Sequence, residues 1–283
     1  QIRSGHLPLF NPLANSGTPL LGGMNSGSLY PLTVIFAVVP PLAAWVINLM
    51  VVYVSASLGV FALLRWMGLR TSAALVAGLV YAYSGAMMGQ MVHLAVVQGF
   101  ALLPWMVLVQ LHLSRVVVRS GAEPWRRRLL VALPSVLGLA AIWGLTFLTG
   151  EPRAIAELEL VALVVIAVQM VTRHGEVAVT WRSRRDVVVT NVAGALLGVG
   201  IGLVQLLPGW SFIGESQRSV IDYWFFGSGS LNTKWTILLF MQDAFGGNQV
   251  LGFPHYFNNY NLAEVTGFVG IVALTATAAF FAS

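Results

Sequence analysis

The sequence predicts an all-α fold: a polytopic transmembrane helical bundle with ordered extracytoplasmic loops. Three observations predict it. Hydrophobic residues make up 57% of the 283 residues and charged residues only 9%, against about 25% charged in a soluble domain. The apolar residues gather into runs near the roughly 20 residues that a bilayer crossing requires. The basic residues then fill alternate gaps between those runs. Arg65 and Arg70 fill one gap; Arg115, Arg119, Arg126, Arg127 and Arg128 a second; Arg173, Arg182, Arg184 and Arg185 a third. Eleven of the fifteen Lys and Arg residues thereby fall on one side. Short basic loops stay cytoplasmic, so the pattern predicts an orientation as well as a class.

The same reading excludes several functions. The net charge of +5 and the pI near 10.0 are topological, because no basic stripe interleaved with exposed aromatics is present for nucleic acid. The absence of Cys removes thiolate nucleophiles, disulfides and Cys-based metal sites. No phosphate-binding Walker loop, GxSxG elbow, HExxH pair or dinucleotide fingerprint occurs.

Taken in order, residues 1–41 read as an extracytoplasmic loop. Residues 1–30 are rich in Gly, Pro, Asn and Ser, which are turn formers. The stretch PLTVIFAVVPP (31–41) is too short to span and is expected to form an interfacial or re-entrant helix. Six spans follow within 42–207, at 42–64, 71–89, 97–114, 129–149, 154–172 and 187–207. The second and third are separated at GQMVH (89–93), because the uncharged run from Thr71 to Ser114 is too long for one helix. Residues 208–263 read as a long extracytoplasmic loop whose aromatic content argues against disorder. A seventh span is expected within 264–283. The chain opens at Gln1 and ends in an apolar run, so it reads as an internal piece of a longer protein.

Candidate chemistry collects at the non-arginine end. Glu151, Glu157, Glu159, Glu215, Asp222, Asp243 and Glu264 fall there, whereas Glu123, Glu176 and Asp186 lie among the arginines. Glu151 and Arg153 sit in TGEPRA, where one span ends and Pro152 starts the next. Glu157 falls in the first turns of that span, where an ionisable group is a functional candidate. Glu159 is two residues on and faces elsewhere. His93 lies in the short turn beside Gln90, and Asp243 precedes two glycines in QDAFGG. Arg218 and Lys234 flank the aromatic run YWFF (223–226). Cations beside aromatics suit a lipid phosphate and a sugar, or simple interfacial anchoring. His6 and His255 have no partner at metal-ligand spacing, so no metal site is expected from these residues.

Four stretches together carry a family resemblance. GHLPLFNPLANSGTPLLGG (5–23) followed by LYPL (29–32) resembles the first outer loop of the YfhO family of bacterial membrane proteins, with Phe10 where Trp is usual and Asn11 beside it. GEPRAIA, from Gly150, resembles a G-H-P turn with Glu151 in place of His. VQLLPGWSFIGESQRS (204–219) resembles a Q-L-L-P segment that ends in Arg218. AFGG, from Ala244, and HYFNNYNLAEVTGFVGIVAL, from His255, resemble the family's last such segment.

The resemblance implies a GT-C-like glycosyltransferase fold. It implies transfer of a sugar from a polyprenyl-phosphate donor to a cell-envelope glycan or lipid, on the outer face of the bacterial cytoplasmic membrane. It places the main catalytic Asp upstream of Gln1. Within this chain it suggests Glu151 and Asp243 as catalytic acids, and His93, Arg153, Glu157, Arg218, Lys234 and Asn11 as substrate-binding residues. A divalent cation is the one cofactor it leaves open. The implied partners are the lipid-linked sugar, the envelope acceptor and the bilayer, with no nucleic acid. Two other readings stand beside it: a transporter or flippase of a lipid-linked precursor, and a non-catalytic scaffold of an envelope-synthesis complex.

Overall fold

A computed structural model describes residues 7–13, 17–171, 180–216, 219, 222–228, 230, 232–247, 255–257 and 262–282. The chain is a helical bundle, and six of its segments are long and apolar enough to cross a membrane. This makes it a multi-pass membrane protein. The helices are α1 (Pro41–Trp66), α2 (Thr71–Ala82), α3 (Gly85–Gly89), α4 (Leu94–Arg119), α5 (Trp125–Leu148), α6 (Pro152–Val171) and α7 (Trp181–Glu215). Short helices α8 (Tyr223–Ser228) and α9 (Leu262–Val265) and a final α10 (Ile271–Ala282) follow. A two-residue antiparallel ribbon, β1 (Phe10–Asn11) with β2 (Thr18–Pro19), is the one paired strand element among the described residues. The expected interfacial helix is a 3-10 helix at Pro31–Ala37, ahead of the first span.

Glycine determines how closely the helices pack. Gly194, Gly198 and Gly202 recur every four residues on α7, against Leu139, Trp143 and Phe147, also four apart on α5. A Cβ on Gly194 would lie 3.0 Å from the Leu139 side chain, and one on Gly198 or Gly202 would collide with Trp143 or Phe147. Lipid offers no hydrophobic drive between helices, so small residues that admit a large neighbour supply the association energy through packing. The same device recurs elsewhere. Gly59 of α1 lies beneath the Trp105 indole of α4, whose Nε1–H donates to Ser55 O at 3.0 Å. Gly99 of α4 packs on Ala154 of α6.

The second span runs over Thr71–Gly89 as expected, but its helix is broken: α2 stops at Ala82, and Ser84 caps a separate α3 by accepting from Met87 N–H at 3.5 Å. Three expectations need correction. The arginines sit in the end turns of helices as well as in loops, because α4 runs on to Arg119, α5 starts at Trp125 and α7 starts at Trp181. Residues 208–215 are helix, not loop. α7 passes through Pro208 for two more turns, with Gly22 and Met24 packed against Pro208, Gly209 and Phe212. The segment expected as a seventh span carries a helix of only 12 residues among those described. Gly267 lies against Leu239, Gly270 takes φ of +92°, and the helix begins only at Ile271.

Two outcomes test this packing. Gly198→Leu is expected to destabilise the bundle by about 1–3 kcal/mol through overpacking, read as a lower melting temperature in detergent. Gly200, with open space around it, is the control: Gly200→Ala leaves melting unchanged or slightly raised. Tyr30, buried at the start of the 3-10 helix, has its hydroxyl pushed up to about 12 by burial. Its contribution is therefore complete below pH 10 and lost as pH rises from 10 towards 12. Tyr30→Phe removes that part of the alkaline loss when stability is followed against pH.

Candidate functional site

Connections fall alternately at two ends of the bundle. One end carries the arginines. At the other lie the N-terminal loop, the Gln90–His93 turn, the Thr149–Glu151 turn and the end of α7. There the loop is fixed by side-chain amides that rise from the helices. Gln205 Nε2–H donates to Leu21 O at 2.7 Å, and Asn48 Nδ2–H donates to Leu32 O at 2.9 Å. Gln98 Nε2–H donates in turn to Asn48 Oδ1 at 3.1 Å. Asn25 N–H donates to Gly150 O, and Gly150 takes φ of +67°, a conformation natural to glycine. A buried loop carbonyl or amide without a partner is costly, so these bonds hold the loop onto the bundle.

Between the loop and the helices lies a cleft of about 700 Å³. Trp45, Phe36 and Phe212 give it aromatic walls; Asn25, Ser26, Thr33, His93 and Gln98 give it polar ones. Gln98 is 1% exposed, and its Oε1 has no hydrogen-bond donor among the described residues. That acceptor lies beside Gly27, where a Cβ would come within 3.4 Å of it. His93 Nδ1–H donates to Gln90 Oε1 at 2.8 Å. In the neutral ring this leaves Nε2 as the proton acceptor. A second cleft of about 600 Å³, lined by Asn11 and Phe10, shares the wall formed by Leu20, Ser26, Thr33 and Phe36.

The sequence-predicted residues divide around this cleft. His93 lines it. Asn11 lines the neighbouring cleft, where its Oδ1 accepts from Leu13 N–H at 3.0 Å. Glu151, Arg153 and Glu157 form a separate group at the start of α6, and none of them lines the main cleft. Glu151 Oε1 accepts from Arg153 N–H at 3.3 Å, which is a helix-capping contact. Arg153 Nε lies 3.7 Å from Glu157 Oε1, and its guanidinium carbon lies 5.9 Å from the Phe100 ring centre. Glu159 lines a distinct 220 Å³ cleft with Gln110 and Asn191.

The Asp243 carboxylate lies against Gly247, where any Cβ would collide with it; Asp243 is placed as a turn residue. Lys234 Nζ sits 5.9 Å from the centre of the Phe245 ring. Arg218 lies outside the described residues. Among the described residues no group of three or more His, Asp or Glu comes together as a metal site. Glu151 and Asp243, suggested as catalytic acids, are engaged separately. Gln98, Asn48, Gln205 and Trp45 were missed in the sequence. For the three carboxamides the available signal was an amide inside an otherwise apolar run; Trp45 gave none.

The chain matches no family model, no curated protein and no solved structure. Gln205→Leu tests whether the amides hold the loop. It removes the bond to Leu21 O, at about 1–3 kcal/mol for an acceptor left buried. Hydrogen exchange across residues 18–30 is expected to speed up by about ten-fold or more, with the bundle's melting little changed.

Proposed function

We propose that this chain is a GT-C-like membrane glycosyltransferase of the YfhO type. It moves a sugar from a polyprenyl-phosphate donor to a cell-envelope glycan or lipid, outside the bacterial cytoplasmic membrane. One observation carries the reading: the 700 Å³ cleft pairs aromatic walls with the unpartnered Gln98 Oε1 and with His93. Sugars present C–H faces that stack on aromatics and hydroxyls that need paired acceptors and donors. The arginine pattern supports an orientation with the arginine end cytoplasmic and the cleft outside. In that orientation a lipid-linked donor reaches the cleft from the outer leaflet.

The mechanism in this reading is an inverting attack. Gln98 accepts a sugar hydroxyl, and Trp45 and Phe36 hold the ring. The acceptor hydroxyl loses its proton as its oxygen bonds to the anomeric carbon, and the bond to the phosphate oxygen breaks. The departing phosphate needs a cation, and Arg153 is the described residue nearest in kind, with Lys234 and Arg218 as the others the resemblance suggests. The base is the Asp expected upstream of Gln1.

A second reading is favoured by a different observation: among the described residues no Asp or Glu lines the cleft. A scaffold that binds a lipid-linked glycan without transferring it needs no carboxylate there. Transfer of labelled sugar from a polyprenyl-phosphate donor, by the full-length protein, separates the two. For the enzyme, Gln98→Leu is expected to lower kcat/KM about 10- to 100-fold, the equivalent of one lost hydrogen bond, and Glu151→Gln to change it far less. Donor binding without transfer, weakened by Gln98→Leu, would establish the scaffold instead. Wild-type transfer unaffected by Gln98→Leu would remove the cleft from the reaction.

A further inference from the structure

The arginine end holds a cleft that the proposed reaction does not use. It lies between the end of α4 and the first turns of α5 and α7, and its volume is about 390 Å³. Part of its wall is apolar: Leu129, Leu133 and Val189, exposed on the helix surface, and the buried Val136 line it. Its mouth is cationic: Arg128, Arg182 and Arg185 stand around Asp186. Arg128 forms an ion pair with one oxygen of Asp186, and Arg185 donates to the other at 3.0 and 3.2 Å. Among the described residues, three arginines against one carboxylate leave two surplus positive charges. Arg182 is exposed and forms no salt bridge among the described residues. The first N–H groups of α5 add to this field, because Pro124 provides no side-chain cap. Trp125, 66% exposed, stands at the rim.

We propose that this cleft binds an anionic phospholipid, with its phosphodiester at Arg182 and Arg185 and its acyl chains along Leu129, Leu133 and Val189. The combination selects the ligand. A free phosphate would gain nothing from the exposed apolar wall. A zwitterionic lipid carries its own cation and has less to gain from two surplus charges. An acyl chain suits apolar helix surface that a soluble anion leaves bare, and basic pockets between membrane helices are suited to acidic headgroups. The site is independent of the glycosyltransferase reading. The orientation argument assigns it to the cytoplasmic leaflet.

The test is melting of the purified full-length protein in detergent, with phosphatidylglycerol, phosphatidylcholine or inorganic phosphate added. Phosphatidylglycerol is expected to raise the melting temperature by several degrees, the other two not. The rise should be lost in the Arg182→Gln/Arg185→Gln double variant and kept in Arg70→Gln, an arginine at the same end outside the cleft. An equal rise with phosphatidylcholine or inorganic phosphate, or a rise preserved in the double variant, overturns the proposal. Fluorescence covers the case of a double variant that does not fold. Phosphatidylglycerol brominated on its acyl chains should quench a component of emission that is absent in Trp125→Phe. Unbrominated phosphatidylglycerol, and not phosphatidylcholine, should reverse it. No such component, or reversal by both lipids, overturns the proposal as well.

Discussion

The outer cleft depends on the bonds between helix amides and loop carbonyls. Gln205 and Asn48 are each at most 1% exposed, and each donates to a carbonyl of the N-terminal loop. Their position decides what they can do. A carboxamide buried within a helix of the bundle has no water to bond, so a loop carbonyl is the partner that removes its desolvation cost. The loop gains in the same exchange, since its backbone is otherwise irregular. Gln98 occupies the middle of this arrangement. One end of its amide holds Asn48, and the other end has nothing to hold. The group that stabilises the wall of the cleft therefore also carries a buried acceptor with no donor among the described residues.

The bundle's two ends obey different physics. At the loop end, neutral amides, hydroxyls and aromatics shape a recess, and the acids of α6 cap and pair at its start. At the arginine end, charge dominates: Arg115 stacks over Trp66 with its guanidinium carbon 3.8 Å from the ring centre, and Asp186 is shared by two arginines. The glycine contacts between α5 and α7 join the two ends rigidly. A helix of 35 residues extends about 52 Å, well beyond a hydrocarbon core of about 30 Å. It thus reaches from the cationic cleft to Phe212 in the other one.

Much of the architecture was legible in the sequence, because a bilayer imposes length and charge rules that a one-dimensional reading can apply. Six crossings followed from apolar runs with arginines in alternate gaps. The Pro31–Ala37 helix followed from its short, proline-bounded sequence. The errors share a cause: each depended on a contact between residues distant in the chain. Pro208 marks a helix end by local rules, yet α7 continues because Gly22 and Met24 pack on it. Gly267 and Gly270 sit in an apolar run that reads as a span, yet the packing of Gly267 on Leu239 and the positive φ of Gly270 keep 266–270 out of the helix. At the site, charged residues drew attention because ionisable groups are conspicuous in apolar sequence. Glu151 is an obvious candidate in TGEPRA, but its carboxylate caps α6. The amides were quieter, and their role depends on which carbonyl folds over them.

The break in the second span bears on the order in which the chain assembles. At Gly85 the first N–H of α3 donates to Phe268 O at 2.6 Å, and Gly85 itself leaves room for Thr266. The twelve residues of α2 reach only about 18 Å from the arginine end, so this N–H lies well inside the apolar layer. Its partner is synthesised more than 180 residues later. Four crossings, α4 to α7, separate this donor from the segment that carries its acceptor. The break in the second crossing is therefore completed only when residues 266–270 fold back against it, which couples an early helix to a late one.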